Sequence, residues 1–305
     1  MANSKADLVV DRAGLTGPLT PNSKRRMVAI SLTLLAMLLL AAVDGTSKYL
    51  SATYSPVQIM WTRLICFTVF VLAKHRTDWR TVVKSHRPGL QIVRSVVLTV
   101  EVGLFILAFK YLPLADVHAI GAFCPLLTVL LACLFLGERA SSTIFLALIL
   151  GLIGVMLVLR PHLDVLRWEV AYPIGGAVLW SVYQVLTRQV SKFDPAATTA
   201  FFTPVVGLLL TTILLPWFWV APSVSDAALL IVSGLVGAAA HYFVIQALMM
   251  SEASRLQPFN FTIFVWAIVF GYLFFGDTPT TMMLVGAAMV IASSLYAARS
   301  HKGAW

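Results

Sequence analysis

The chain has 305 residues, 59% of them hydrophobic and 11% charged, whereas roughly 25% of the residues of an ordinary soluble domain are charged. Such a composition excludes a soluble enzyme or binding module and indicates a protein that lies almost wholly in a membrane. The formal net charge of +9 is explained by basic connections between apolar runs, so lipid rather than nucleic acid is the expected surrounding partner.

Residues 1–23 are polar, are broken by Gly14, Gly17, Pro18 and Pro21, and read as a disordered cytoplasmic tail. Lys24, Arg25 and Arg26 then introduce the first of a series of apolar runs, which is too long for a signal core. The runs lie near 27–50, 56–73, 90–110, 114–136, 141–159, 171–190, 196–219, 226–250, 254–275 and 279–298. At 1.5 Å per residue, segments of this length cross a hydrocarbon core of about 30 Å as helices. They are apolar at odd and even positions alike, which argues against barrel strands. The expected fold is all-α and integral to the membrane, with ten transmembrane helices.

Every second connection carries Lys or Arg, most densely at 74–88 with Lys74, Arg76, Arg80, Lys84 and Arg87, whereas 51–55, 111–113, 220–225 and 276–278 carry none. Basic connections resist translocation, so both termini are expected in the cytoplasm. Arg160 and Arg167 in the 160–170 stretch depart from this alternation. The three cysteines, Cys66, Cys124 and Cys133, all fall within apolar runs and lack paired ligand spacing, so no disulfide, metal or cofactor is expected.

Shifting the chain by 139 residues aligns Pro56 with Pro195, Gly137 with Gly276, Glu138 with Asp277 and Arg160 with Arg299. The chain thus reads as a duplication: a first five-helix repeat over 24–161, a second over 162–300, and a short cytoplasmic tail at 301–305. Five crossings are an odd number, so the second copy enters from the opposite face and is inverted. Inverted repeats of this kind are expected to rock about a midplane site and so to carry a small molecule by alternating access.

The segment "PLLTVLLACLFLGE" (125–138), preceded by "LADVHAIGA", resembles the fourth-helix signature of EamA-type carriers of the drug/metabolite transporter superfamily, and "FTIFVWAIVFGYLFFGD" (261–277) stands where their second copy would. Two residues depart from the first copy: Phe264 replaces Pro125, and Asp277 replaces Glu138. The resemblance covers about residues 27–300 and is strongest to bacterial aromatic amino-acid exporters. It implies a multi-pass protein of the bacterial inner membrane that exports amino acids or related metabolites. A carrier for another metabolite, such as a nucleotide sugar, is the alternative. An integral-membrane enzyme is disfavoured because HExxH, GxSxG and P-loop motifs are missing, and a channel because single charges are scattered. The protein is expected to act as a monomer, with protons as a possible coupling ion.

Ionisable residues inside apolar helices are expensive and point to partners or a wet cavity. Asp44 and Lys48 lie one turn apart and can pair, or Lys48 can snorkel to the interface. Arg63 and Arg94 are further intrusions; Arg94 and Glu101, two turns apart on one face, read as a structural pair, with Glu101 also a candidate proton carrier. His118 aligns with Gln257 and His241 with Val102 under the same shift, and Pro125 and Pro258 mark helix interruptions that point to a binding site. An aromatic cargo needs rings, which Phe123, Trp180, Tyr183, Tyr242 and Phe259 can supply, and polar partners, for which Gln184, Gln246 and Asn260 are candidates. Trp217 and Trp219 read as interfacial belt residues, and Gly151, Gly154, Gly234 and Gly237 as helix-packing positions.

Overall fold

An apolar segment in hydrocarbon must satisfy its backbone groups internally, and the long runs of this sequence do so as helices. A computed structural model describes residues 23–75, 79–112, 114–138, 140–159, 168–270, 272 and 279–300. Outside these residues lie the tail before residue 23, the boundary between the two repeats at 161/162, Asp277 in the second motif copy, and 301–305.

The described residues are helical, without strands. The helices are α1 (Ser23–Leu50), α2 (Pro56–Lys74), the single turn α3 (Trp79–Val82), α4 (Pro88–Tyr111), α5 (Leu114–Gly121), α6 (Cys124–Leu131), α7 (Ser142–Leu159), α8 (Ala171–Val190), α9 (Ala196–Leu214), α10 (Val224–Met250), α11 (Ala253–Asn260), α12 (Thr262–Phe270) and α13 (Thr281–Ser300). A π-helical turn, Ala132–Leu136, continues α6. Six of these segments have the length and mean hydropathy to cross a bilayer, and Cys124–Leu136, Ser142–Leu157 and Thr281–Ala297 are shorter apolar pieces.

The bundle buries a number of polar side chains within a largely apolar core and exposes large apolar ones. Gln91, Arg94, Ser95, Thr198 and Thr199 are fully buried, whereas Leu134, Phe135, Leu209 and Ile213 are each more than 60% exposed. Buried hydroxyls donate one turn back to backbone carbonyls, as Ser95 does to Gln91 and Thr203 to Thr199. Trp217 and Trp219 are exposed at the end of the α9 segment.

The fourth and ninth apolar runs are not continuous helices. Ala122 and Phe123 interrupt the fourth between α5 and α6, and Phe261 interrupts the ninth between α11 and α12. Pro125 starts α6, where its missing N–H costs nothing, and Pro258 lies inside α11. The limits of α5 and α11 differ by 139 residues at both ends, and α7 and α13 begin 139 residues apart. Packing follows the same correspondence: α1 runs along α10 as α8 runs along α4, and α1 meets α12 as α8 meets α6. The pairs α2 with α9 and α7 with α13 are their own counterparts.

The α7–α13 seam depends on glycine. A Cβ on Gly154 would lie 2.8 Å from the Gly286 carbonyl oxygen, so the two backbones approach at this point too closely for any side chain. Gly234 lies equally close to α2 through Cys66, whereas Gly237 has ordinary van der Waals room.

At one end of the bundle Asp194, in the α8–α9 connection, has a fully buried side chain. It accepts hydrogen bonds from the Ser85 hydroxyl, the His86 backbone N–H at 2.7 Å and Gln91 Nε2 at 2.9 Å. Burial raises its pKa, but these hydrogen bonds outweigh that effect and hold the carboxyl below the usual carboxylate range. The stability it contributes is therefore complete above the unfolded carboxylate pKa of about 4 and is lost as pH falls through the lower folded value. Thermal unfolding in detergent is expected to show Asp194→Ala less stable by about 1–3 kcal/mol at neutral pH, because three donors, one of them the buried Gln91, lose their acceptor. Asp194→Asn is expected to flatten the acid limb below about pH 4. The same measurement is expected to show Gly154→Ala less stable by about 1–3 kcal/mol.

Candidate functional site

The helix interruptions face a central cavity with about 140 Å³ of water-accessible space, on the order of ten times what a single water needs. Its wall is drawn from both halves. The second half of α1 supplies Asp44 and Ser47, α2 supplies Arg63, and α4 supplies Glu101, Phe105 and Phe109 on one face at a spacing of four. His118 and Pro125 flank the first interruption, Asn260 and Phe264 the second, and Trp180 and His241 project from α8 and α10.

Polar groups cluster within this apolar shell. His118 Nε2 lies 3.8 Å from Asp44 Oδ2, close enough for an ion pair when the imidazole is protonated. Arg63 Nη2 donates to Ser47 Oγ at 2.6 Å, Ser233 Oγ at 3.0 Å and the Val43 carbonyl at 3.3 Å. Thr46 Oγ1 donates to Ser233 Oγ at 3.0 Å, which ties α1 to α10 beside the arginine. Glu101 is 5% exposed, and its Oε2 has no hydrogen-bond partner among the described residues; His241 Nδ1 is in the same position.

Aromatic rings frame these groups on two sides. On one side His118 stands 5.8 Å from Phe109 and edge-on to Phe264 at 5.7 Å, and Phe105 and Phe109 are 6.1 Å apart. On the other, His241 stacks on Phe67 at 6.3 Å and meets Trp180 edge-on at 6.1 Å. A flat ring has partners on both sides of such a cavity.

Of the thirteen residues singled out from the sequence, the structure brings Asp44, Glu101, His118, Trp180, His241 and Asn260 to this wall. The other seven lie elsewhere. Lys48 donates to the carbonyls of Phe109 and Leu112, at 2.9 Å for the latter, and so caps the end of α4 instead of pairing with Asp44. Phe123 is 54% exposed on the turn between α5 and α6. Tyr183 is fully buried behind Trp180, with the Arg94 guanidinium 5.5 Å from its ring centre. Gln184 lines a smaller neighbouring void and accepts from Gln257 Nε2 at 3.1 Å. Tyr242 lies under Lys74 and beside Phe70, and its hydroxyl accepts from Gln246 at 2.8 Å, so these two residues are occupied with each other away from the cavity. Phe259 is buried in the packing of α11.

The expected Arg94–Glu101 pair is replaced by other contacts. Arg94 Nη2 donates to Thr203 Oγ1 at 2.7 Å, the Thr199 carbonyl at 2.8 Å and Gln91 Oε1 at 3.2 Å. Same-face spacing on one helix reveals nothing of the acceptors that α9 brings, and these leave Glu101 to the cavity. Arg63 was visible in the sequence as a mid-run arginine without a role, and Phe105 and Phe109 repeat the Glu101 face at a spacing of four.

The model of the EamA-like transporter family matches the chain twice, over residues 27–160 and 167–299. A riboflavin transporter of Brucella anthropi is 30% identical over 82% of this chain and 89% of its own length. An S-adenosylmethionine uptake transporter of Rickettsia conorii is 23% identical over 92% of this chain and 96% of its own. The cargoes for which these two relatives are named differ from the aromatic amino acids that the sequence resemblance implied. A solved structure described only as "Crystal structure of protein" superposes with a TM-score of 0.75 at 18% identity, covering 93% of this chain and all of the other, a likeness of fold alone. Two family matches over nearly the whole length, set on a helical bundle with a polar cavity between its halves, place this multi-pass membrane protein in the EamA-like transporter family.

Proposed function

We propose that the chain is a secondary carrier that moves a small metabolite with a flat ring and a cationic or hydrogen-bonding end across a bacterial inner membrane by alternating access. The observation that carries this reading is the central cavity, in which two carboxylates, one guanidinium and two imidazoles stand between facing aromatic groups. Rings favour a planar cargo, and the two cavity carboxyl groups favour a positive or hydrogen-bonding group on it. Aromatic amino acids satisfy both requirements. So does S-adenosylmethionine, which bears a purine and a sulfonium, while riboflavin supplies the ring with neutral polar groups. One relative is named for uptake, so the proposal concerns carriage and leaves aside the export direction that the sequence resemblance implied.

The carrier reading includes ten membrane passes, with α5 and α6 together forming the fourth and α11 and α12 the ninth. It also includes two inverted halves and both termini in the cytoplasm. The matched packing of α1 with α10 and α8 with α4 supports a two-fold relation between the halves, and an odd number of passes per half makes that relation an inversion. Proton exchange at Glu101 and Asp44 is the proposed coupling. A carboxylate that faces a cavity without a fixed hydrogen-bond partner is free to take either a proton or the positive end of a cargo.

The test is counterflow in proteoliposomes with labelled phenylalanine, tryptophan, S-adenosylmethionine and riboflavin, with and without a pH gradient. Saturable exchange of at least one ring-bearing cargo is expected, driven by the gradient. Glu101→Gln and Asp44→Asn are each expected to abolish gradient-driven accumulation, and to reduce exchange of a cationic cargo by about tenfold or more. Full, pH-dependent transport by both variants would overturn the coupling, and an absence of exchange with every cargo would overturn the cargo class.

A further inference from the structure

Met37, Trp180 and Asn260 border the central cavity on one side and a second, much smaller void on the other. That void holds about 10 Å³ of water-accessible space, room for about one water. A ladder of amides runs beside it: Asn260 Nδ2 donates to Gln257 Oε1 at 2.8 Å, and Gln257 Nε2 to Gln184 Oε1 at 3.1 Å. Gln184 is 2% exposed, and its Nε2 is without a partner among the described residues. Leu248 and Leu256 close the far side of the void. Cavity, constriction and void thus form one line that leads away from Ser47 and Phe109.

Glu138 stands where this line meets the end of the bundle. The π turn ends at Gly137, whose φ of +68° is left-handed and turns the chain so that the next residue reaches across the bundle. The Glu138 carboxylate accepts from Arg188 Nε at 3.3 Å, the Ala253 N–H at 3.2 Å, the Ser254 N–H at 3.1 Å and Ser254 Oγ at 2.8 Å. Arg188 Nη1 in turn donates to the Leu248 carbonyl, the residue that walls the void, at 3.2 Å. One carboxylate from the first half therefore ties down α8, α10 and the start of α11 from the second. Both side chains lie at helix ends and retain slight exposure, 7% for Glu138 and 12% for Arg188. Water can replace these bonds when the ends separate, so the contact is reversible in a way that a pair buried mid-helix is not.

We propose that Glu138 and Arg188 are the gate-positioning residues of the transport cycle: their contact holds shut the route from the cavity through the Trp180–Asn260 constriction, and its release lets α11 swing away from α6 and α8. This proposal rests on the carrier reading above, and its test separates the two. A reporter protein carries Ile263→Cys in the cavity wall, with Cys66, Cys124 and Cys133 replaced by Ala. It is treated with a membrane-impermeant methanethiosulfonate from each side, in right-side-out and inside-out vesicles. The reporter is expected to react from the face at the Ser47 and Phe109 end about tenfold or more faster than from the Glu138 face. Adding Glu138→Gln, or Arg188→Gln, which leaves the Glu138 bonds to α11 in place, is expected to raise labelling from the Glu138 face by about tenfold or more. Arg188→Lys is expected to restore much of the parent ratio. A parent ratio retained in whichever of the two Gln variants accumulates in the membrane would overturn the gate, because a purely structural contact alters yield without altering sidedness. A parent reporter that reacts from neither face would overturn the carrier reading instead.

Discussion

Lipid cannot hydrogen-bond, and the rest of this structure is arranged around that constraint. Every backbone polar group in the membrane must find a partner within the chain, so the apolar runs are helices and their hydroxyls fold back onto the preceding turn. The same constraint sends the few charged side chains inward. Arg94 is fully buried, yet it is held by the Thr199 carbonyl, Thr203 and Gln91 and flanked by the Tyr183 ring, which makes it a bolt between α4, α8 and α9. Arg63 has a similar set of neutral acceptors but borders open space. Two arginines on neighbouring helices thus have different tasks, and the difference lies in what surrounds them.

The two helix interruptions convert a packed bundle into one with a site. A continuous helix would present side chains alone to the interior. A break at Ala122–Phe123 and its counterpart at Phe261 bring His118 and Asn260 to the cavity, with a short helix on either side of each break. α11 is only eight residues long, packs along α1, α6 and α7, and is tethered at its start by Glu138. The α7–α13 seam brings two backbones into contact at Gly154, and α11 packs against both of its helices.

Much of this was legible in the sequence. Hydropathy locates the helices to within a few residues, because membrane helices are defined by composition and need no partner to be recognised. The 139-residue shift is repeated in the limits of α5 and α11. Pairing was less legible. Spacing on one helix joined Asp44 to Lys48 and Arg94 to Glu101, but the actual partners are His118 for Asp44, the end of α4 for Lys48 and α9 for Arg94. Contacts between helices far apart in sequence leave no local pattern. Rings were also hard to place: Tyr183 and Trp180 are three residues apart on α8, yet only Trp180 reaches the cavity. Glu138 was visible as part of a family-like motif, but its role as acceptor for α8 and α11 depends on a turn whose direction a single glycine sets.

The distribution of charge along the bundle gives these parts an order. In the cavity, the carboxylates of Asp44 and Glu101 have one imidazole neighbour and no hydrogen-bond partner for Glu101 Oε2 among the described residues, so they are underused as acceptors. At the bundle end, the Glu138 carboxylate is saturated with four donors. An underused buried acceptor is costly until a proton or cargo occupies it, whereas a saturated one resists change until its donors are pulled away together. In the proposed cycle, occupation of the cavity relieves that cost, and separation at Glu138 is the step that must be driven. A carrier needs that inequality, because a gate that opened as readily with the cavity empty would let protons and cargo leak independently of each other.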